Sequence, residues 1–188
     1  MAKESSSGGE SDVVEISSEP LDLDKYVNAV SDSGAGAIAT FAGTTRNSFD
    51  GRQVLQLEYE AYQAMAIRQM QAICSAARVR WPLIALACAH RIGIVPIGHE
   101  SVFVAASSVH RADALQACHF IIDEIKSSVP IWKKKIYTDG QVWKENAEFF
   151  AKKGSCCMSA GVKKDSSGNS LSEAVLGWDD QHARHVKQ

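Results

Sequence analysis

Two long segments with helical spacing, each stopped by a proline, set the limits on what this chain can fold into. Residues 63–80 place Met65, Met70, Ile73 and Ala77 on one helical face and run into Trp81-Pro82. The residue before a proline is pushed out of the α region, so the helix ends there. Residues 109–126 carry Leu115, Cys118, Ile122 and Ile125 as one apolar stripe, and Pro130 follows. A shorter helix is predicted over 21–30, from Leu23, Tyr26, Val27 and Val30, ending at Asp32-Ser33-Gly34. Strand-like runs fill the rest: 13–16, 35–41, 54–59, 84–94, 101–107 and 131–137. A polar loop bounded by Gly43 and Gly51 follows the second of them, and Val142-Trp143 reads as a last strand or a helix start. The order is β-α-β-β-α-β-β-α-β. Strands that are neighbours in sequence, beside strands separated by helices, favour an α+β or mixed sandwich over a doubly wound parallel sheet.

The chain has 188 residues, 45% of them apolar and 22% charged, with a net charge of −2. That suits one compact domain and argues against a polyanion binder. No apolar run reaches the roughly 18–20 residues a membrane span needs. Residues 1–12 are rich in Ser, Gly and Glu and have no apolar core, so they read as a disordered lead-in, not a secretory signal. The domain is expected over 13–153. Over 154–188 Ser, Gly, Lys and Asp dominate, and a disordered tail is expected apart from a short patch at 171–178. Of five cysteines, Cys74, Cys88 and Cys118 lie in apolar segments, and Cys156-Cys157 in the polar tail. No C-x-x-C occurs. This reads as a reducing, cytoplasmic setting with no disulfide framework and no zinc site. Phosphate-loop, dinucleotide, nucleophile-elbow and metalloprotease motifs are all missing. Any chemistry must therefore come from lysine, arginine and histidine.

Lys126, Lys133, Lys134 and Lys135 fall close together with no acid among them. Like charges this close lower the pKa of at least one amine when the group is partly buried, which makes a base, an acid or a nucleophile. The plainer reading is a solvated basic strand edge that discourages edge pairing. In a strand, Lys133 and Lys135 share a face with Ile131, while Trp132, Lys134 and Ile136 take the other. Lys133 is the better candidate, because Ile131 could wall a cavity. His110-Arg111 follows Ser107-Ser108, which could cap the helix. Cations in a first helical turn oppose the macrodipole unless an anion sits there; Asp113 could instead neutralise them locally. Arg46 stands in the loop after a strand. His90-Arg91 lies within a strand-like run, where a structural role is favoured.

Several segments recur, in this order, in a known family. They are Phe41-Ala42-Gly43-Thr44-Thr45-Arg46-Asn47, Trp81-Pro82, His90-Arg91-Ile92-Gly93, Ser108-Val109-His110-Arg111, and Lys126-Ser127-Ser128-Val129-Pro130-Ile131-Trp132-Lys133-Lys134. Over most of its length the chain resembles the large, catalytic subunit of molybdopterin synthase. The resemblance implies an α/β-hammerhead-type α+β fold with an added small antiparallel β subdomain. It implies a homodimer within a heterotetramer, each large subunit binding a small ubiquitin-like sulfur carrier. The carrier's C-terminal Gly-Gly thiocarboxylate enters the large subunit's pocket. Two sulfurs pass into cyclic pyranopterin monophosphate and form molybdopterin, with no cofactor or metal. Lys126 and Lys133 would be catalytic; Arg46, His110, Arg111, Lys134 and Lys135 would join them in holding substrate. The pattern departs at Ala147, where family members often carry a basic residue; Lys144 is nearby.

The residues suit this chemistry on their own terms, because both the cyclic phosphate and the thiocarboxylate are anions that need cationic hosts. His110 and Lys126 stand sixteen positions apart, about 24 Å along a helix axis. One small substrate cannot touch both, so a pocket shared between two protomers is expected. The alternative is a non-catalytic module that docks an acidic C-terminal tail or a phosphate ligand. Nucleic-acid binding is weaker still, since the basic stretch is short and has no aromatic ladder.

Overall fold

The computed structural model describes residues 12–144. The elements run β1 (Val13–Ser17), α1 (Leu23–Ala29), β2 (Ala37–Thr44), β3 (Ser48–Phe49), β4 (Arg52–Ala61), α2 (Gln63–Arg80), β5 (Leu83–Arg91), β6 (Gly93–Pro96), β7 (Glu100–Ser108), α3 (Arg111–Ser128), β8 (Ile131–Tyr137) and β9 (Gly140–Lys144). This is the expected α+β class, with a small antiparallel sheet added to a helix-covered one. The lead-in over 1–11, Ala147, Cys156-Cys157 and the tail over 154–188 lie outside the described residues.

The first sheet has the order β1-β5-β7-β2. Its β1–β5 pair is parallel and the other two are antiparallel. Both faces of its centre are covered, and the period-two alternation shows it. Leu86, Cys88, Val102, Val104 and Ala106 join the core beneath α2 and α3, while Ala85, Ala87, Ala89, Phe103 and Ala105 pack with Tyr26 and Val30 around α1. Cys74, Cys88 and Cys118 are free thiols buried in that core. Alanines dominate the side facing α1. The first turn of α1 is capped by Asp22, whose carboxylate accepts from the Lys25 amide at 3.1 Å. Helix α2 stops at Trp81, whose backbone is extended at φ −133° and ψ 144°, as the following proline requires.

The second sheet is antiparallel and centred on β4, which pairs with β8 along one edge and with β3 and β6 along the other; β9 extends it past β8. The chain crosses between the sheets five times, after β2, β4, β5, β6 and β7. The crossing after β5 turns on Gly93, whose φ of +77° few other residues adopt without strain.

Four expectations need correction. The run 84–94 is two strands in different sheets, because the Gly93 bend ends one ladder and starts another. The polar loop from Gly43 is shorter than predicted: Gly43 and Thr44 remain in β2, and Ser48–Phe49 forms β3. Ser107 and Ser108 do not cap α3. They end β7, where Ser107 accepts from the Ala85 amide and Ser108 donates to the Pro82 carbonyl; the N-cap is His110, with no side-chain cap bond. Met65 and Leu115 are exposed, because the core faces of α2 and α3 are rotated away from them. On α3 that face consists of Ala114, Ala117, Cys118, Ile121, Ile122 and Ile125. Spacing identified the stripe, but only the sheet decided its phase around the helix.

This rotation sets a stability contrast. Ile121→Ala should destabilise the protein by about 2–5 kcal/mol, since it opens a void in a sealed core. Leu115→Ala should stay within about 0.5 kcal/mol. Urea unfolding of the two variants measures both values, and equal costs would contradict the assigned phase of α3.

Candidate active site

A pocket of about 400 Å³ lies in the crease between the two sheets. Its walls come from β2, β3, β4, β5, β7, α3 and β8. Four cations line it: Arg46, Lys126, Lys133 and Lys135. Each arrives by a different local rule. Lys126 sits in the last turn of α3, one helical turn beyond Ile122 and next to Ile125, which also line the pocket. A cation there is favoured by the carbonyl end of the helix. Lys133 and Lys135 alternate with outward residues along β8, and Ile131 lies on their face. Arg46 follows β2 directly.

Aromatic rings flank three of these charges. Lys126 Nζ lies 5.5 Å from the Phe41 ring centre. Lys135 Nζ lies 2.8 Å from the Phe49 ring centre, and the Arg46 guanidinium carbon 5.8 Å from the same ring. Lys135 is only 6% exposed, whereas Arg46 is open to solvent. The back wall carries a chain of hydroxyls. Tyr59 donates to Ser101 Oγ at 3.2 Å, and Ser101 donates to the Gly43 carbonyl at 3.2 Å. Burial raises the Tyr59 phenol above its ordinary pKa, partly offset by that bond.

The alternation predicted for β8 places its residues correctly. Trp132 is exposed on the far side, and Lys134 lies outside the pocket lining, 3.6 Å from Glu58 on β4. His110 and Arg111 also lie outside the pocket. They are exposed at the start of α3, and among the described residues they form no ion pair, so Asp113 does not neutralise them. A helix of 18 residues is about 27 Å long, which separates them from Lys126.

His90 is a pocket residue that spacing assigned to a structural role. It ends β5, edge-on to Tyr59 with ring centres 5.0 Å apart. Its Nδ1 is 2.8 Å from the Arg91 carbonyl oxygen. A carbonyl only accepts, so Nδ1 carries the hydrogen and Nε2 is left as an acceptor. Phe41, Phe49, Tyr59 and Ser101 were likewise not singled out by the sequence. A strand's alternating pattern marks such residues as core, and nothing local says that the core opens there. Among the described residues, no group of three or more His, Cys, Asp or Glu side chains is placed to hold a metal.

Burial holds the His90 imidazole down to about 4; its bond to Arg91 opposes this, and the Lys133 charge adds a further downward push. An unfolded histidine takes up its proton below about pH 6.5. The unfolded chain therefore gains a proton first as pH falls. The neutral folded imidazole contributes full stability above pH 6.5, loses it progressively toward pH 4, and changes no further below that. Between pH 7 and pH 5 this costs about 2 kcal/mol. Urea unfolding of His90→Gln over that range should show a pH dependence smaller by about this amount; equal slopes would refute the neutral, buried imidazole.

A confined set of cations beside aromatic walls can hold a small anion, and its amines can move protons. The sequence model of the family described as MoaE protein matches residues 16–128. The chain is 61% identical over 143 residues to the molybdopterin synthase catalytic subunit of Oryza sativa subsp. indica, covering 74% of each chain. Among solved structures it resembles molybdopterin synthase from Staphylococcus aureus, with a TM-score of 0.67 and 38% identity over 70% of this chain and 96% of that one. It also shares the fold of a complex of subunits 1 and 2 of molybdopterin-converting factor from Helicobacter pylori, with a TM-score of 0.61 and 24% identity over 72% of this chain and 92% of that one. The chain belongs to the MoaE family, that of the molybdopterin synthase catalytic subunits, and its role lies in molybdenum cofactor biosynthesis.

Proposed function

We propose that the pocket between the two sheets is where sulfur passes from a thiocarboxylated carrier protein to cyclic pyranopterin monophosphate, giving molybdopterin. The observation that carries this reading is the convergence of Arg46, Lys126, Lys133 and Lys135 from separate elements on one pocket. The substrate phosphate and the carrier's thiocarboxylate are both anions, and a partly desolvated cationic pocket stabilises them. Lys126 serves as the main acid and base. It protonates and deprotonates the pterin side chain as sulfur enters and the cyclic phosphate opens. Lys133 offsets the charge that develops beside it. Arg46 and Lys135 hold the phosphate. Lys134 faces away and steadies β8 through Glu58.

The carrier is a small ubiquitin-like subunit whose Gly-Gly end enters the pocket. The two-subunit complex from Helicobacter pylori supports such a partner. The distance along α3 supports a second contribution: His110 and Arg111 act in the pocket of a second copy of this chain. The assembly is then a homodimer of large subunits carrying two small ones. Free, buried thiols at Cys74, Cys88 and Cys118 suit a reducing compartment, which favours the cytoplasm.

Two measurements test this. In the first, the protein is mixed with thiocarboxylated carrier and the cyclic pterin, and the product is weighed by mass spectrometry. Wild type should yield a pterin carrying two added sulfurs. Lys126→Ala should lower the rate at least about 100-fold while carrier binding persists. A wild-type protein that binds carrier but makes no product would instead favour the non-catalytic docking module. In the second, Lys126→Ala and Arg111→Ala chains are unfolded together and refolded. Mixed dimers should regain activity from one intact pocket; a mixture as inactive as its parents would refute the shared site.

A further inference from the structure

We propose that Phe49 is a positioning residue: its ring is a shared π partner that sets where Lys135 and Arg46 meet the anionic substrate. This rests on the reading of the pocket as the substrate site. The ring neighbours both charges, with Lys135 Nζ at 2.8 Å and the Arg46 guanidinium carbon at 5.8 Å from its centre. A ring face attracts a cation, and the attraction strengthens as water is removed. It stabilises the ammonium without cancelling its charge, whereas a carboxylate in the same place would compete with an incoming anion.

The ring is placed with little freedom. Phe49 ends the two-residue strand β3 and pairs with Arg52 of β4 across a tight turn. That turn has Asp50 at φ 50° and Gly51 at φ 75°, the left-handed geometry that two-residue hairpins use. Arg52 then anchors the hairpin to the far end of β8. It donates to both carboxylate oxygens of Asp139, at 2.6 and 3.2 Å, and stacks 3.8 Å from the centre of the buried Tyr137 ring. Lys135 is two residues before Tyr137 on that strand, so ring and ammonium are held from the same corner. Arg46 is three residues before Phe49 in the connection between β2 and β3. It is exposed, and the ring gives it a preferred resting place over the pocket mouth.

Steady-state molybdopterin synthesis with carrier and cyclic pterin tests the assignment in Phe49→Leu, Phe49→Tyr, Lys135→Met and the Phe49→Leu/Lys135→Met double variant. Phe49→Leu keeps an apolar side chain but removes the π face. The pterin KM should rise about tenfold, and the loss should fall on KM more than on kcat. Phe49→Tyr should restore KM to within about twofold of wild type. In the Lys135→Met background, Phe49→Leu should raise KM by much less than it does alone, because one of its two clients is gone. A Phe49→Leu enzyme with unchanged KM overturns the proposal. So does one that loses kcat and thermal stability together and is not rescued by tyrosine, since the ring would then be simple packing. If Lys135→Met and Arg46→Ala themselves leave KM unchanged, the substrate-site reading fails and the role of Phe49 falls with it.

Discussion

Four positive side chains in one pocket repel one another, and the rest of the structure is arranged around that cost. Several devices oppose it. Lys126 is placed at the carbonyl end of α3, where the helix favours a cation. Phe41 and Phe49 put ring faces beside Lys126, Lys135 and Arg46. His90, also in the wall, is kept neutral, chiefly by burial, and so adds no further charge. Lys134 is turned out of the pocket and placed near Glu58.

The two sheets divide the labour. The first sheet and its helices supply a sealed core that fixes the position of α3, and with it Lys126. The second sheet is thin, and its inner face is the opposite wall. β8 belongs to the second sheet and is joined to α3 only by Val129 and Pro130. The short link matters physically: the helix must end where the strand begins, so Lys126 and Lys133 cannot drift apart. Packing is tight at the seams as well. A Cβ on Gly36 would come within 2.3 Å of the Val109 carbonyl, and one on Gly43, in the pocket lining, within 2.6 Å of Val102 Cγ1. Gly36 lets backbone approach backbone just before β2 begins, and Gly43 lets the Val102 side chain close against β2 at the pocket.

Much of this was legible in the chain. Helix α2 was predicted with its observed bounds, because a proline stop and an apolar face leave little choice. The split of Lys133 and Lys135 from Lys134 followed from strand alternation alone. Arg46 and Lys126 were singled out, and both reach the pocket. His90 was assigned a structural role, and Tyr59 and Phe49 were not singled out, because in sequence they look like any residues that alternate into a core. Their significance depends on the core failing to close between the sheets. The supposed serine cap of α3 failed for a related reason: Ser107 and Ser108 found partners on the neighbouring β5 strand and at Pro82, which no local pattern reveals.

The sequence by itself determined the elements, the family and the basic chemistry on offer, since these depend on short-range periodicity, proline stops and ordered motifs. Only the tertiary structure decided which faces are buried and which cations share a pocket. The reason is physical. Period and propensity act over a few residues, whereas burial and electrostatic coupling depend on distances between segments far apart in the chain.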